Sequence, residues 1–398
     1  MSVVLREIIP DSTQYGKLGA VLPYWADLEF GQDLRGASSI SFSYPRSAPQ
    51  FDKLKMGMYV VPVVNGNYKW LDSIFYIQAR EGTLIDNNAA VDIFGYSLRK
   101  RLDRMFWMPA IGSAYADADM FKYTNVTPGA IIKAGIENHW SRAKSVYKDP
   151  QKWIANVVVP ASSKWSYRVD ETIQANTSVS SMIDKYQDLG MATVRFDGFN
   201  LLTAHADWYS NAPAYNKQQS VKFREGIDLL SGDFSESDEE VITALLVVGA
   251  EDPFKNDDGL SSNVVAWVIA EPDIIAKYGY REGVLNVSDA TTAATLKAVG
   301  RNYLKRMQEP RSSFSYKVTS ELYDPRTGVP LDTPSALNDY QCGDNVTVYT
   351  SEGSHEYSVK AITLSYADPG SHSTVLTLND TFDSWQETFD QRLKRLGG

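Results

Sequence analysis

Apolar and polar residues alternate along the first hundred residues in the way that β-strands require. The clearest case is a serine-interrupted series, in which Ile40, Phe42 and Tyr44 are each two positions apart. A period of two puts such side chains on one face of a strand, so one face is buried and the other is exposed. The segment 28–94 is therefore predicted to be antiparallel β-structure.

A second stretch, nearly three hundred residues later, repeats this pattern. In the first copy a turn glycine, Gly57, is followed after 13 residues by an aromatic residue and after 34 residues by a further apolar strand. In the second copy, which starts at Gly343, the same distances are 14 and 32 residues. The repetition predicts two related small antiparallel β-barrels. If the chain forms a trimer, two barrels per subunit make a pseudo-symmetric ring of six.

In the segments between the two copies and after them, apolar residues recur at helical spacing. Thr127 and Pro128 are typical of a helix start, because a capping hydroxyl precedes a proline in the first turn. Further helices are predicted after Thr177 or Ser178 and after Asp289 or Thr291, and an amphipathic helix is predicted at the C-terminus. The fold class predicted is β-rich α+β.

These elements predict a chain with several domains, since 398 residues exceed what one core usually serves. The insertion between the barrels is expected to have its own core. The predicted parts are a first tube-type β-barrel at 1–105, completed by about 219–240; an inserted α/β domain at 106–218; a second tube-type β-barrel at 241–380 with a helical insertion at 270–310; and the amphipathic helix at 381–398.

Composition narrows the possible functions. The formal net charge of −10 argues against general binding to nucleic acids, because that affinity comes from Lys and Arg neutralising phosphates. The most basic segment, 99–104, is interpreted as the polar side of one short helix, turned toward protein neighbours. Cys342 is the single cysteine, which excludes an intrachain disulfide and a Cys-based metal site. No export signal or membrane-spanning segment is predicted.

Local motifs for catalysis are missing from the sequence. The four histidines have no zinc-ligand spacing, and no nucleophile elbow, P-loop or dinucleotide fingerprint is present. The acidic pairs Asp27/Glu29 and Glu271/Asp273 fit solvent-facing strands and loops as well as a glycosidase. The chain is therefore predicted not to be an enzyme and to hold no cofactor. A cell-wall hydrolase and a carbohydrate-binding adhesion module stay open as alternatives.

Short motifs in the second half resemble a known family. They are Tyr-Gly-x-Arg-Glu at Tyr278, Gly279, Arg281 and Glu282; Asp-Ala-Thr at Asp289 to Thr291, before a helix; and Gly-Asp-x-Val at Gly343, Asp344 and Val346. Their order and spacing are similar to those of the baseplate-hub or tail-tip family of siphophages, often called minor tail proteins, which is distantly related to the hub of contractile-tailed phages. The first hundred residues also resemble that family's first barrel.

The resemblance implies a structural virion protein at the tail tip or baseplate, made and assembled in the host cytoplasm. It implies a homotrimer whose barrels continue the tail tube below a hexameric distal tail protein. The implied partners are that protein, the tape measure protein in the lumen and a distal fibre, spike or receptor-binding protein. DNA is implied only in transit through the lumen.

Overall fold

The structure is a computed structural model that describes most residues between 2 and 378. The residues outside the description are 1, 12, 35, 83–88, 112–120, 147–152, 162–164, 166–167, 190, 205–220, 239, 252–262, 288–291, 309–310, 319–321, 324–329, 332–333, 351–352, 369–370 and 379–398. The predicted C-terminal helix at 381–398 therefore lies outside the described residues.

The first part of the chain forms a β array, as the alternation predicts. In its fourth strand Ile40, Phe42 and Tyr44 are buried, while the intervening serines are more exposed. Phe51–Lys53 and Leu98–Arg104 form short 3₁₀ helices. The strands are β1 (Val3–Ile9), β2 (Lys17–Val21), β3 (Ala26–Asp33), β4 (Ser39–Pro45), β5 (Tyr59–Val64), β6 (Phe75–Glu81) and β7 (Ala90–Ser97).

A mixed module follows the first array. Its elements are β8 (Phe121–Val126), α1 (Pro128–Val146), β9 (Asn156–Val158), β10 (Val169–Ile173), α2 (Val179–Asp188), β11 (Thr193–Asp197) and β12 (Asn200–Ala204). β8 pairs with β10, and β11, β12 and β9 form a separate three-stranded sheet. Ser178 caps α2 by accepting a hydrogen bond from the Ser181 backbone nitrogen, as expected for this residue type.

This module shares its core with the first array. Ile8, Val61 and Ile74 from the strands, with Leu98 and Leu102 from the 3₁₀ helix, are buried in the same apolar cluster as the module's helices. The 3₁₀ helix at the end of β7 packs directly on α2. The expectation that the insertion has its own core is therefore wrong, because the exit from the first array forms part of that core.

The C-terminal half contains the remaining described elements. They are β13 (Lys222–Arg224), β14 (Leu229–Ser237), β15 (Ala244–Glu251), β16 (Asn263–Ile269), α3 (Pro272–Tyr278), β17 (Glu282–Asn286), α4 (Ala293–Met307), β18 (Arg311–Val318), β19 (Leu322–Tyr323), β20 (Pro330–Leu331), β21 (Asn345–Thr350), β22 (Gly353–Asp368) and β23 (Ser371–Leu378).

Two arrays of six strands with the same strand order, together with β2 beside β1, make up one 13-stranded sheet. Neighbouring strands run β3-β4-β7-β6-β5-β1 in the first array and β14-β18-β23-β22-β21-β13 in the second. If the strands of each array are ranked by their position in the chain, both orders read 2-3-6-5-4-1. One difference is that β1 pairs with β5 antiparallel, whereas β13 pairs with β21 parallel. The closure of each array into a separate barrel stays a prediction.

The strands of segment 219–240 belong to the second array. They were expected to complete the first barrel, but β13 pairs with β21 and β14 pairs with β18. Alternation in a sequence fixes which side chains a strand buries and leaves its neighbours undetermined. The choice of neighbours rests on contacts between residues that are far apart in the chain.

The helical insertion predicted at 270–310 begins earlier than expected. β15 and β16, which were placed in the second barrel, form a separate three-stranded sheet with β17 in the order β16-β15-β17. The helix α4 packs on this sheet through Leu296, Val299 and Tyr303. The apolar stripe of α4 needs a sheet to cover it, and the nearest apolar strands in the chain supply that sheet.

Candidate functional site

The duplicated glycines occupy equivalent turns in the two arrays. Gly57 and Gly343 have φ of 91° and 95°, a region that favours glycine. The Gly57 nitrogen donates to the Ile77 carbonyl at 2.9 Å, and the Gly343 nitrogen donates to the Val359 carbonyl at 2.8 Å. In return, Ile77 and Val359 each donate to the carbonyl of the residue after the glycine, at 2.9 and 2.8 Å. The sequence repetition therefore reflects a repeated local structure.

A β-bulge follows at the same place in both copies. The register between β6 and β7 shifts between Ile77 and Ala79, and the register between β22 and β23 shifts between Val359 and Ala361. The shift comes directly after the residue that contacts the glycine in each case. A bulge bends its strand and increases its twist. Both arrays therefore carry the same bend, so the residues after it can be matched one to one.

The two arrays meet where the long strand β22 divides its edge between two partners. Its first half, up to Ser358, pairs with β21 of its own array, and residues 361–366 pair with β3 of the first array. Gly31 of β3 lies so close to the Ile362 carbonyl oxygen that an added Cβ would be 2.0 Å from it. The absence of a side chain at this position allows the two strands to approach.

Buried polar groups reinforce this joint. The Gln32 side chain donates from Nε2 to the Leu71 carbonyl at 2.5 Å and accepts at Oε1 from the Cys342 nitrogen at 2.8 Å. The Cys342 Sγ also donates to the Gln32 carbonyl at 3.4 Å. Burial raises the pKa of the Cys342 thiol, so it stays protonated and unreactive in the folded chain. The role of this cysteine is packing and hydrogen bonding at the joint.

A buried ion pair connects the mixed module to the same joint. The Arg195 guanidinium contacts the Asp72 carboxylate through Nε and donates from Nη1 to the Cys342 carbonyl at 3.0 Å. The other Asp72 oxygen accepts from the Phe196 nitrogen at 2.8 Å. Side-chain exposure is 1% for Arg195 and 6% for Asp72. One guanidinium thus holds together the first array, the mixed module and the second array.

The Tyr-Gly-x-Arg-Glu motif forms a turn at the base of a second module, which consists of β15, β16, α3, β17 and α4. Tyr278 ends α3, and Gly279 follows with φ of 82°. The Arg281 nitrogen donates to Oγ1 of the buried Thr243 at 2.8 Å, and the Arg281 guanidinium binds the Asp238 carboxylate at 2.7 Å. Glu282 is exposed at the start of β17. These contacts fasten the module to the segment after β14, and they are structural contacts.

Some of the other motif residues lie at the turn that contains Gly343, and the rest lie outside the described residues. Asp344 is buried after Gly343 and accepts a hydrogen bond from the Gln341 nitrogen at 2.7 Å. Val346 is buried in β21. Asp289 and Thr291 lie outside the described residues. The motif at 278–282 and the motif at 343–346 occupy different sheets, so they do not converge on one site.

The basic segment 99–104 differs from its interpretation as a polar helix side turned toward neighbours. Arg99 is 6% exposed and binds the Asp184 carboxylate of α2 at 3.0 Å. Arg101 stacks on Trp153, with 4.6 Å between its guanidinium carbon and the ring centroid. Only part of the segment faces outward, because two of its cations bind the mixed module of the same chain.

The sheet of the second module has an apolar face that is exposed to solvent. Val265, Trp267 and Ile269 on β16 and Val284 on β17 are between 48% and 60% exposed. Leu246 of β15 pairs with both Trp267 and Val284, so these side chains form one continuous surface. Exposed apolar patches of this kind mark contact sites on proteins. This face is a candidate contact surface of the chain.

The acidic and histidine side chains of the described residues do not assemble into a metal site. The part of the chain that the structure describes contains no group of three or more His, Cys, Asp or Glu side chains that could hold a metal ion. The acidic pairs at 27/29 and 271/273 lie at exposed positions. Within that same part, none of the helices has the length and apolarity to cross a membrane.

Three solved structures that resemble this chain are tail proteins, and two of them come from prophages. A prophage tail protein from Listeria monocytogenes EGD-e matches 100% of both chains with a TM-score of 0.59 and 13% identity. A tail protein from Neisseria meningitidis MC58 matches 96% of this chain and 97% of its own, with a TM-score of 0.58 and 13% identity. The 43 kDa tail protein of prophage MuSo2 from Shewanella oneidensis matches 95% and 98%, with a TM-score of 0.56 and 14% identity. No protein-family profile and no curated protein sequence matches this chain.

The chain therefore has the fold of prophage tail proteins over its full length. Sequence reasoning found the duplicated turns at Gly57 and Gly343 but missed the network at the joint. One weak signal of this network is present in the sequence, because Arg195 is a charged residue between the apolar residues Val194 and Phe196. Gln32 lies in a strand and Asp72 lies in a turn, so neither residue stands out in the sequence, and only the fold brings them together.

Proposed function

We propose that this chain is a structural protein of a phage tail and forms the hub of the tail tip or baseplate. The duplicated strand order supports this proposal, since two similar arrays per chain let a trimer present six similar units. A three-fold hub of this kind can continue a six-fold tail tube. The full-length match to tail proteins supports the tail location.

The proposed partners follow from that position. A hexameric distal tail protein lies above the hub, the tape measure protein reaches it in the lumen, and a distal fibre, spike or receptor-binding protein lies below it. The chain is made and assembled in the host cytoplasm and ends in the virion. A trimer has a formal charge of −30, three times −10, so it binds phosphates poorly and lets DNA pass in transit.

We further propose that the chain has no enzymatic activity. We also propose that the phage is a siphophage. A cell-wall hydrolase and a carbohydrate-binding module are the competing functions. The fold match to tail proteins fits a structural role.

Mass measurement and imaging test the proposal together. Size-exclusion chromatography with light scattering, on the chain alone and with the distal tail protein, is expected to give three copies per particle. Electron microscopy is expected to show a ring at the tail tip. A monomer that degrades purified peptidoglycan, or a stable dimer in both settings, contradicts the hub.

A further inference from the structure

The two strands that form the joint, β22 and β3, each have an equivalent strand in the other array. Among the described residues, the matching edges of these two equivalent strands are unpaired. After its bulge, β22 pairs with β3 of the other array. The equivalent stretch in the first array is the end of β6, Ala79–Glu81. On the edge away from β7, this stretch has no partner strand among the described residues.

The equivalent of β3 in the second array is β14. β3 has two neighbours, β4 and β22, whereas β14 has only β18 within the described part of the chain. Within the described ranges, each chain therefore has one complete joint, one unpaired copy of the β22 side and one unpaired copy of the β3 side. Unpaired strand edges are templates for pairing with another chain.

We infer that β6 of one subunit pairs antiparallel with β14 of the next subunit and so repeats the joint between β22 and β3. This inference rests on the proposed trimer, because it names the contact that holds the subunits together. The contact is head-to-tail, with different strands on its two sides, and such contacts form closed rings when the rotation between subunits closes. Three subunits then contribute six joints, of which three lie within chains and three lie between them.

The register of the new joint follows from the matched bulges. Arg80 pairs with Ile93 across β6 and β7, and Ile362 pairs with Leu376 across β22 and β23, so Arg80 is the equivalent of Ile362. The same comparison, carried through β4 and β18, makes Phe30 of β3 the equivalent of residue 234 of β14.

Position 236 is by the same count the equivalent of Gln32. In the joint within the chain, Ile362 lies opposite Gln32. The joint between chains therefore places Arg80 opposite Glu236 and Ala79 opposite Ser237.

Disulfide trapping tests both the contact and its register. Residues that face each other across antiparallel strands have Cα atoms about 4.5–5.5 Å apart, which suits a disulfide. The double variant Arg80→Cys/Glu236→Cys is oxidised as the isolated protein and as the assembly with the distal tail protein. Non-reducing gels are expected to show covalent dimers and trimers that disappear with reductant. The native Cys342 is buried and is expected to stay out of the reaction.

Three controls separate this contact from others. Glu29→Cys/Ser365→Cys joins facing residues of the joint within the chain and is expected to give a cross-linked monomer. Arg80→Cys/Asp233→Cys shifts one partner by three residues, about 10 Å along the strand, and is expected to give no ladder. Each single cysteine variant is also expected to give no ladder.

The outcomes distinguish the joint from the proposed function. A trimer by light scattering that shows no ladder for Arg80→Cys/Glu236→Cys overturns this pairing and leaves the hub standing. Association through the exposed face around Trp267 produces that result. A chain that is monomeric in both settings and gives no ladder overturns both.

Discussion

The buried pair between Arg195 and Asp72 gives the sharpest test of how the parts of this chain are held together. Arg195→Met keeps most of the side-chain volume and removes the charge. The Asp72 carboxylate then keeps its hydrogen bond from the Phe196 nitrogen at 2.8 Å but loses its counter-charge, and the Cys342 carbonyl loses its donor. Removing one member of a buried ion pair costs about 3–5 kcal/mol, because the other charge stays buried without compensation.

Urea unfolding, followed by tryptophan fluorescence, measures this cost. Arg195→Met is expected to lower the free energy of unfolding by about 3–5 kcal/mol. In Arg195→Met/Asp72→Asn the remaining group is neutral, so the double variant is expected to be more stable than Arg195→Met alone. The difference between the double variant and the sum of the two single variants gives the coupling energy of the pair.

The ion pair between Arg281 and Asp238 is the matched control. Its side chains are 37% and 59% exposed, so water screens the two charges and the pair contributes about 0–1 kcal/mol. Arg281→Met is therefore expected to cost less than 1 kcal/mol. If Arg195→Met costs no more than Arg281→Met, or if Arg195 and Asp72 show no coupling, the network does not hold the joint together.

Three further predictions follow from the fold. Gly57→Ala and Gly343→Ala are each expected to lower the free energy of unfolding by about 1–2 kcal/mol, because both turns need positive φ. Similar costs at the two sites in urea melts support the equivalence of the two turns, and a cost at only one site contradicts it. Deletion of 106–218 is expected to give insoluble protein on expression, since it uncovers Ile8, Val61 and Ile74 at about 1.5–3 kcal/mol each; a soluble, cooperatively folded product shows that the array does not need the module. Burial, helped by the charges of Arg142 and Arg101, lowers the pKa of His139 below 6.5, so the unfolded chain takes up a proton first as the pH falls through 6.5 and the folded state loses stability. The stability advantage of the native chain over His139→Gln is therefore expected to shrink between pH 7.5 and 5.5. An unchanged difference refutes the assignment.

The local structure of this chain could be read from its sequence because it depends on neighbouring residues. The period of two around Ile40 and Phe42 sets which face of β4 is buried, and Ser178 starts α2 through a hydrogen bond within one turn. The repeat at Gly57 and Gly343 could be found for the same reason, since each turn requires a backbone conformation that favours glycine. These features set the β-rich class and the duplication.

Only the tertiary structure decided which strands are neighbours and which polar groups are buried. A period of two is the same for a strand of the large sheet and for β15 of the second module, so the sequence placed β15 and β16 in the wrong sheet. Arg99 was read as solvent-facing because its cationic side chain usually is, but Asp184 lies 85 positions away in the chain and meets it only in the fold. Arg195 and Asp72 are 123 positions apart, and no local pattern identifies them as partners. Burying either charge alone is costly, and only the fold brings the two together so that each offsets the other's burial.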